Sequence, residues 1–264
     1  SSVHHFTRHH LRQTLGNERG VDDDCADVAL ALGLLAGSKS AKISGVVRMM
    51  PVRIVIMAKA PVAGFAKTRL IPALGAEGAA ELAKKMLLHT VETALASKLG
   101  TVEVCATPDP SDSAWQKLDL PNQLAWSAQG NGDLGERMAR VAERTIHHEE
   151  AIILIGTDCP AIDVFTLHEA ALALQDYDAS LLPTHDGGYA LLALKRVDNR
   201  LFENIPWSTS TVALQTLQRL VQLNFDVKLL QTLHDIDEPT DIAQLPVEWG
   251  YLPNKQENLD STLA

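Results

Sequence analysis

Apolar positions along this chain fall into two alternating patterns. From Val52 onward, short runs of aliphatic and β-branched residues alternate with longer stretches in which apolar residues recur at helical spacing. That alternation is the sequence form of βαβ units, and it predicts an α/β fold built on a mostly parallel sheet. Strands are expected at about 52–57, 101–106, 151–155, 178–182, 189–194 and 227–230. Between the first two, Gly75 to Ser97 is rich in Ala, Leu, Lys and Glu and predicts a long helix. Asp133 to His147 and Asp163 to Gln175 read as further helices, each opened by an aspartate able to accept from the first-turn amides. Ser208-Thr209-Ser210-Thr211 is expected to supply capping hydroxyls for a helix running to about Leu223. No Gly/Ser-rich linker follows residue 50, so residues 49–250 are expected to form one domain, with 251–264 as a C-terminal tail.

Residues 1–48 differ from this pattern and are expected to be an extension to the domain. His4, His5, His9 and His10 are open to two readings, a metal-binding tract or a tail with scattered histidines, and Val28 to Leu35 suggests a short helix. Over all 264 residues the chain is 46% hydrophobic and 21% charged, a globular composition. Its formal charge of −10 argues against gripping a nucleic-acid backbone, which calls for clustered lysines and arginines. An anionic substrate must therefore be held by local cations. Cys25, Cys105 and Cys159 are widely spaced with no CxxC pair, which suggests neither a disulfide framework nor a structural zinc site and fits a reducing cytoplasm. No transmembrane segment is expected, and the start of the chain is too polar for a signal peptide.

The candidate chemistry lies where the expected strands end. Lys59-Ala60-Pro61-Val62-Ala63-Gly64-Phe65-Ala66-Lys67-Thr68-Arg69-Leu70 puts cations and a glycine directly after the first strand. In open α/β sheets ligands collect at such exits, and arginine can grip phosphate oxygens with two parallel hydrogen bonds, so Lys59, Gly64, Lys67 and Arg69 read as a phosphate loop; a solvated basic loop is the alternative. It is not a Walker A loop, because Ala66 stands where that pattern requires glycine. Asp158 ends the fully apolar run Ala151 to Ile155 through Gly156-Thr157. It could bind a divalent ion, since Mg²⁺ needs only one or two carboxylates beside phosphate oxygens and water, or it could cap the following turn. In His234-Asp235-Ile236-Asp237-Glu238-Pro239-Thr240-Asp241, Glu238 and Asp241 suit helix capping, which leaves Asp235 and Asp237 spare. Asp237 could join Asp158 at one metal if the last strand brings them together.

Three further segments stay open. Thr184-His185-Asp186-Gly187-Gly188-Tyr189 offers His185 or Asp186 as a general base for an acceptor hydroxyl, or simply makes a hairpin turn. Gln129 to Arg137 is a glycine-rich approach to a helix that either covers a nucleotide, with Arg137 on its phosphates, or merely connects elements. Trp207 either offers a plane to a ligand or belongs to the core.

Together these segments resemble one family. Ala58-Lys59-Ala60-Pro61, Gly64, Lys67-Thr68-Arg69-Leu70, Gly132 to Arg137, Gly156 to Pro160, Asp186 to Tyr189, Trp207-Ser208-Thr209 and Asp235 to Asp241 are similar, in this order, to the motifs of the bacterial DUF2064 family, also called radical SAM/selenodomain-associated transferase 1 or glycosyltransferase. The resemblance spans roughly residues 50–245. It implies a three-layer α/β/α sandwich with the nucleotide-diphospho-sugar transferase (GT-A-like) fold. It also implies that Lys59, Lys67 and Arg69 belong to the nucleotide-phosphate loop, and that Asp158 and Asp237 hold Mg²⁺ or Mn²⁺. The chain departs from many glycosyltransferases in lacking an Asp-x-Asp motif after the central strand, since glycine stands at position 156 before Asp158.

The expected activity is transfer from a nucleotide-activated donor, foremost a nucleotide sugar, to an acceptor. The alternatives are a nucleotidyltransferase that releases pyrophosphate from an NTP, and a nucleotide-binding protein without turnover.

Overall fold

The computed structural model describes residues 50–148 and 150–251. The expected extension with its histidines, the helix expected at Val28 to Leu35 and the C-terminal tail beyond residue 251 lie outside the described residues.

The chain forms a seven-stranded sheet. Its strands are β1 (Val52–Lys59), β2 (Gly100–Thr107), β3 (Ala125–Ala128), β4 (Ala151–Ile155), β5 (Ala179–Pro183), β6 (Tyr189–Leu194) and β7 (Val227–Leu229). The helices are α1 (Ile71–Ser97), α2 (Ser113–Gln116), α3 (Leu134–Ile146), α4 (Val164–Ala173) and α5 (Val212–Gln222). Strand order is β3-β2-β1-β4-β6-β5-β7. All pairings are parallel except those of β6, which runs antiparallel to both β4 and β5.

Side-chain alternation along the strands explains the layers. Ile54 and Ile56 of β1, Ile153 and Ile155 of β4, and Leu191 and Ala193 of β6 share one buried cluster with Leu87 and Val91 of α1 and Leu167 and Ala170 of α4. The alternate residues Val55, Ile152, Leu154 and Leu192 pack on the other face against Met138 and Val141 of α3 and Leu220 of α5. Both faces are thus covered, which is why these strands read as unbroken apolar runs and not as alternating ones. The result is the expected three-layer α/β/α sandwich.

A smaller third cluster lies beyond the main layers. Leu70, just after the cationic loop, packs with Leu82 and Met86 of α1 and with Ile236, Ile242 and Leu245 from the last segment. This cluster holds residues about 170 positions apart side by side, and it matters for the site.

Several expectations shift by a few residues. β1 runs on to Lys59, and the first helix begins at Ile71, with Gly75 as a non-helical kink inside it. Asp133 and Asp163 cap α3 and α4 as expected, accepting from Glu136 N at 2.9 Å and Thr166 N at 2.8 Å. The expected capping hydroxyls of α5 are not used in that way: Thr211 is the N-cap residue but its side chain makes no capping bond, and Thr209 donates instead to Pro206 O at 2.7 Å. β3 and the one-turn helix α2 were not expected. Among the described residues no helix is long and apolar enough to cross a membrane.

Candidate active site

The sheet order explains where a ligand fits. From β1 the chain moves outward to β2 and β3 and then returns to place β4 on the other side of β1, so the order reverses between β1 and β4. The loops leaving those two strands diverge and open a crevice beyond their carboxyl ends. A cavity of about 830 Å³ lies there, lined by residues of five loops, including Lys59, Lys67, Arg69, Asp158, Asp186 and Asp237. Its size suits a small-molecule ligand.

The loop after β1 is fastened to itself and to the far end of the chain. Lys59 Nζ donates to Phe65 O at 2.7 Å and so braces the turn in which Gly64 adopts a φ of 78°. Gly64 itself does not line the cavity, so its part is to shape the loop. Lys67 has φ 47° and ψ 45°, a left-handed conformation that costs a non-glycine residue energy and persists only where its surroundings enforce it. The enforcement is visible in its side chain. The side chain is 8% exposed, and its ammonium stands 2.7 Å from Asp158 Oδ1 and 2.6 Å from Asp237 Oδ1. It also donates to Ile236 O at 2.6 Å. Burial favours losing its proton, but the two carboxylates outweigh that and hold its pKa above the usual lysine value.

The acids are brought there by backbone pairing. Leu233 N donates to Pro183 O at 3.1 Å and Ile236 N donates to Asp158 O at 2.8 Å, so the segment after β7 runs between the exits of β5 and β4. Asp237 N and Glu238 N donate to Asp241 Oδ2 at 3.0 and 2.7 Å, the capping use expected of Asp241. Asp158 does not cap the next helix; that part is played by Asp163. Its carboxylate faces Lys67 and remains 49% exposed, while that of Asp237 is 37% exposed. Arg69 stands 3.6 Å from both Asp237 and Glu238 and is 60% exposed. Two hard oxygen donors thus converge on a point already occupied by positive charge, which fits the chemistry of a Mg²⁺ or Mn²⁺ ligand pair.

The remaining expectations divide. Asp186 lines the cavity but also makes the hairpin turn between β5 and β6, accepting from Thr184 Oγ1 at 2.5 Å and Gly188 N at 2.9 Å. The hairpin turn expected of that segment is thus present, and the carboxylate that makes it also faces the cavity. His185 does not line the cavity; its ring stacks on His234 with centroids 3.9 Å apart. Arg137 is not brought to the cavity either. Its guanidinium donates to Gly132 O at 2.9 Å and Gln129 Oε1 at 3.1 Å, because the glycine-rich loop leaves backbone and amide acceptors within its reach. Arg140 fastens the same loop through Gln129 O and Asn131 O, so the segment is a braced connection. Trp207 is both core and wall: it packs against the second cluster and lines the cavity, with Nε1 buried and unpartnered among the described residues.

Two contributors escaped the sequence reading. Asp235 lines the cavity, and burial together with the nearby charge of Asp186 pushes its pKa up to about 6. Ser208, with φ 64°, lines it from the loop before α5. Asp235 was visible only as a spare acid beside Asp237, and Ser208 only as a capping hydroxyl and as part of the motif Trp207-Ser208-Thr209.

Comparison with known proteins bears on the fold and the family. The family described as "Uncharacterized protein conserved in bacteria (DUF2064)" matches residues 90–209. No curated protein matches the chain. A solved structure of a candidate nucleotide-diphospho-sugar transferase from Desulfovibrio desulfuricans G20 is similar at 27% identity and a TM-score of 0.67, over 72% of this chain and 84% of that one. CMP:2-keto-3-deoxy-manno-octonic acid synthetase complexed with CTP shares the fold at 12% identity and a TM-score of 0.50, over 75% of this chain and 98% of that one. Residues 90–209 thus match the DUF2064 family model, and the chain has the fold of the nucleotide-diphospho-sugar transferases.

Proposed function

We propose that this protein is a metal-dependent transferase acting on a nucleotide-activated donor, foremost a glycosyltransferase using a nucleotide sugar. One observation carries the reading: the cations of the first loop and the carboxylates of Asp158 and Asp237 meet in one crevice at the strand ends. A diphosphate is the ligand class that needs both signs of charge, cations on its oxygens and acids to hold its metal. The likeness to a candidate nucleotide-diphospho-sugar transferase supports the same class.

In this reading Arg69 grips the diphosphate and Lys67 adds a second positive charge beside it. The metal, held by Asp158 and Asp237, would supply charge stabilisation for the leaving phosphate. Lys59 keeps the loop in shape through Phe65 O. Asp186, facing the cavity and fixed by Thr184 and Gly188, is placed to take a proton from an acceptor hydroxyl.

Nucleotidyl transfer is the second reading, favoured by Gly156, which leaves the end of β4 without an Asp-x-Asp motif at Asp158. Incubation with a sugar-labelled nucleotide sugar and, separately, with NTPs and candidate acceptors tells the two apart. Sugar label in the acceptor supports the first, and pyrophosphate release the second. Asp158→Asn should lower metal-dependent nucleotide affinity by about tenfold to a hundredfold in calorimetry, the size of a lost charged contact. Unchanged affinity would remove Asp158 from the site, and absence of any nucleotide binding with Mn²⁺ or Mg²⁺ would overturn the reading.

A further inference from the structure

The ammonium of Lys67 lies where the metal of that reading belongs. All three of its donors are directed at oxygen: Asp158 Oδ1 at 2.7 Å, Asp237 Oδ1 at 2.6 Å and Ile236 O at 2.6 Å. A divalent ion would take the same two carboxylates as its ligands. An ammonium and a divalent cation cannot both sit between one pair of carboxylates, since they would stand within a few ångströms of each other in a partly buried site. Arg69 is also close to Asp237, so an ion arriving alone meets carboxylates already neutralised by protein cations.

We propose that Lys67 is an exchangeable resident cation: it holds Asp158 and Asp237 together until a divalent ion enters, and then swings to the phosphates of the donor that accompanies the ion. The inference rests on the proposed use of metal and nucleotide. Three features of Lys67 support the exchange. Its side chain is long and unbranched, so the ammonium can move several ångströms without backbone change. It lines the cavity, so a phosphate bound there lies within its reach. Its ammonium meets both carboxylates from the loop after β1 and not from their own segments, so it can leave them without moving either acid. The exchange also predicts synergy, because an ion alone displaces an ammonium that then has no partner, whereas an ion entering with a diphosphate gives it one.

The test compares the full chain with Lys67→Met by calorimetric titration with Mn²⁺ alone and with Mn²⁺ plus a nucleoside diphosphate, circular dichroism confirming the fold of each. Removing the competing ammonium should tighten binding of Mn²⁺ alone by about tenfold, and the same change should weaken the diphosphate by a similar factor. Equal or weaker Mn²⁺ affinity in Lys67→Met overturns the exchange while leaving a metal site in place. Failure of either protein to bind Mn²⁺, with or without nucleotide, overturns both the exchange and the metal-dependent reading. A second measurement needs no variant: acylation of Lys67 in the unaltered chain, followed by peptide mass spectrometry. Saturating Mn²⁺ should speed that labelling several-fold by freeing the ammonium; labelling that Mn²⁺ leaves unchanged overturns the exchange.

Discussion

Of the cations Lys59, Lys67 and Arg69, Arg69 is the least committed to the protein. At 60% exposure and 3.6 Å from Asp237 and Glu238, its guanidinium keeps donors available for a ligand, whereas Lys59 and Lys67 are already bonded within the fold. Arg69→Ala should therefore weaken a nucleoside diphosphate by about tenfold, with little change for the matching nucleoside. Equal losses for both ligands in parallel titrations would show that Arg69 does not touch phosphate. At this scale the sequence was most informative where a charged residue ends an apolar strand, as Asp158 does, because a strand must deliver its next residues to the sheet's edge. It left Arg137 and His185 open, and the structure does not bring them to the cavity: their side chains have partners nearby in Gly132, Gln129 and His234. Proximity in sequence to a glycine-rich turn says that a ligand has room, and equally that the loop's own carbonyls lie open to a neighbouring donor.

Among the elements, the turn between β5 and β6 builds one wall of the cavity through a single close approach. Gly187 has φ +88°, and a Cβ placed there would fall 1.8 Å from Ser210 O in the loop that carries Trp207 and Ser208. Gly187 O also accepts from Ala213 N at 2.9 Å, fixing the start of α5. Gly187→Ala should cost about 1–3 kcal/mol or more from strain and displacement of that loop, and should weaken nucleotide binding as the wall moves. Gly64→Ala is the control, since Gly64 has φ +78° but nothing within 4 Å of the added carbon. Denaturant unfolding should find it the milder change; equal costs would mean that strain alone, and not the clash with Ser210, limits position 187. The helix caps Asp133 and Asp163 were legible in the sequence because capping is decided within four residues. β3 was not, because Ala125 to Ala128 is short and mostly alternates between half-buried and exposed positions at the sheet's edge, so neither length nor apolarity announces a strand.

Across the molecule, the sheet is tied to α3 by a buried acid. Glu103, its side chain 2% exposed, accepts from Arg144 at 2.6 Å, Ser127 at 2.6 Å and Arg53 at 3.2 Å. Burial raises its pKa, but the bonds from Arg144 and Ser127 and the charges of Arg144 and Arg53 outweigh it and hold the carboxyl below its usual range. A folded-state pKa below the unfolded one gives stability that is complete above the ordinary glutamate range and is lost as pH falls through the depressed value. Glu103→Gln should therefore lower stability near neutral pH by about 1–3 kcal/mol and flatten the acid limb of the stability curve. Urea unfolding from neutral down to about pH 3 measures this, and parallel curves for both proteins would show that Glu103 does not carry the acid sensitivity. By itself the sequence determined the α/β class, the principal strands and helices, and which loops carry charge, because periodicity, capping and turn chemistry are short-range properties of the chain. Only the tertiary structure decided that Lys67 meets Asp158 and Asp237, the second of them 170 residues away. That meeting depends on the reversal of strand order at β1 and β4 and on the cluster joining Leu70 to Ile236, and such packing is selected by burial summed over the whole molecule, not by any local pattern.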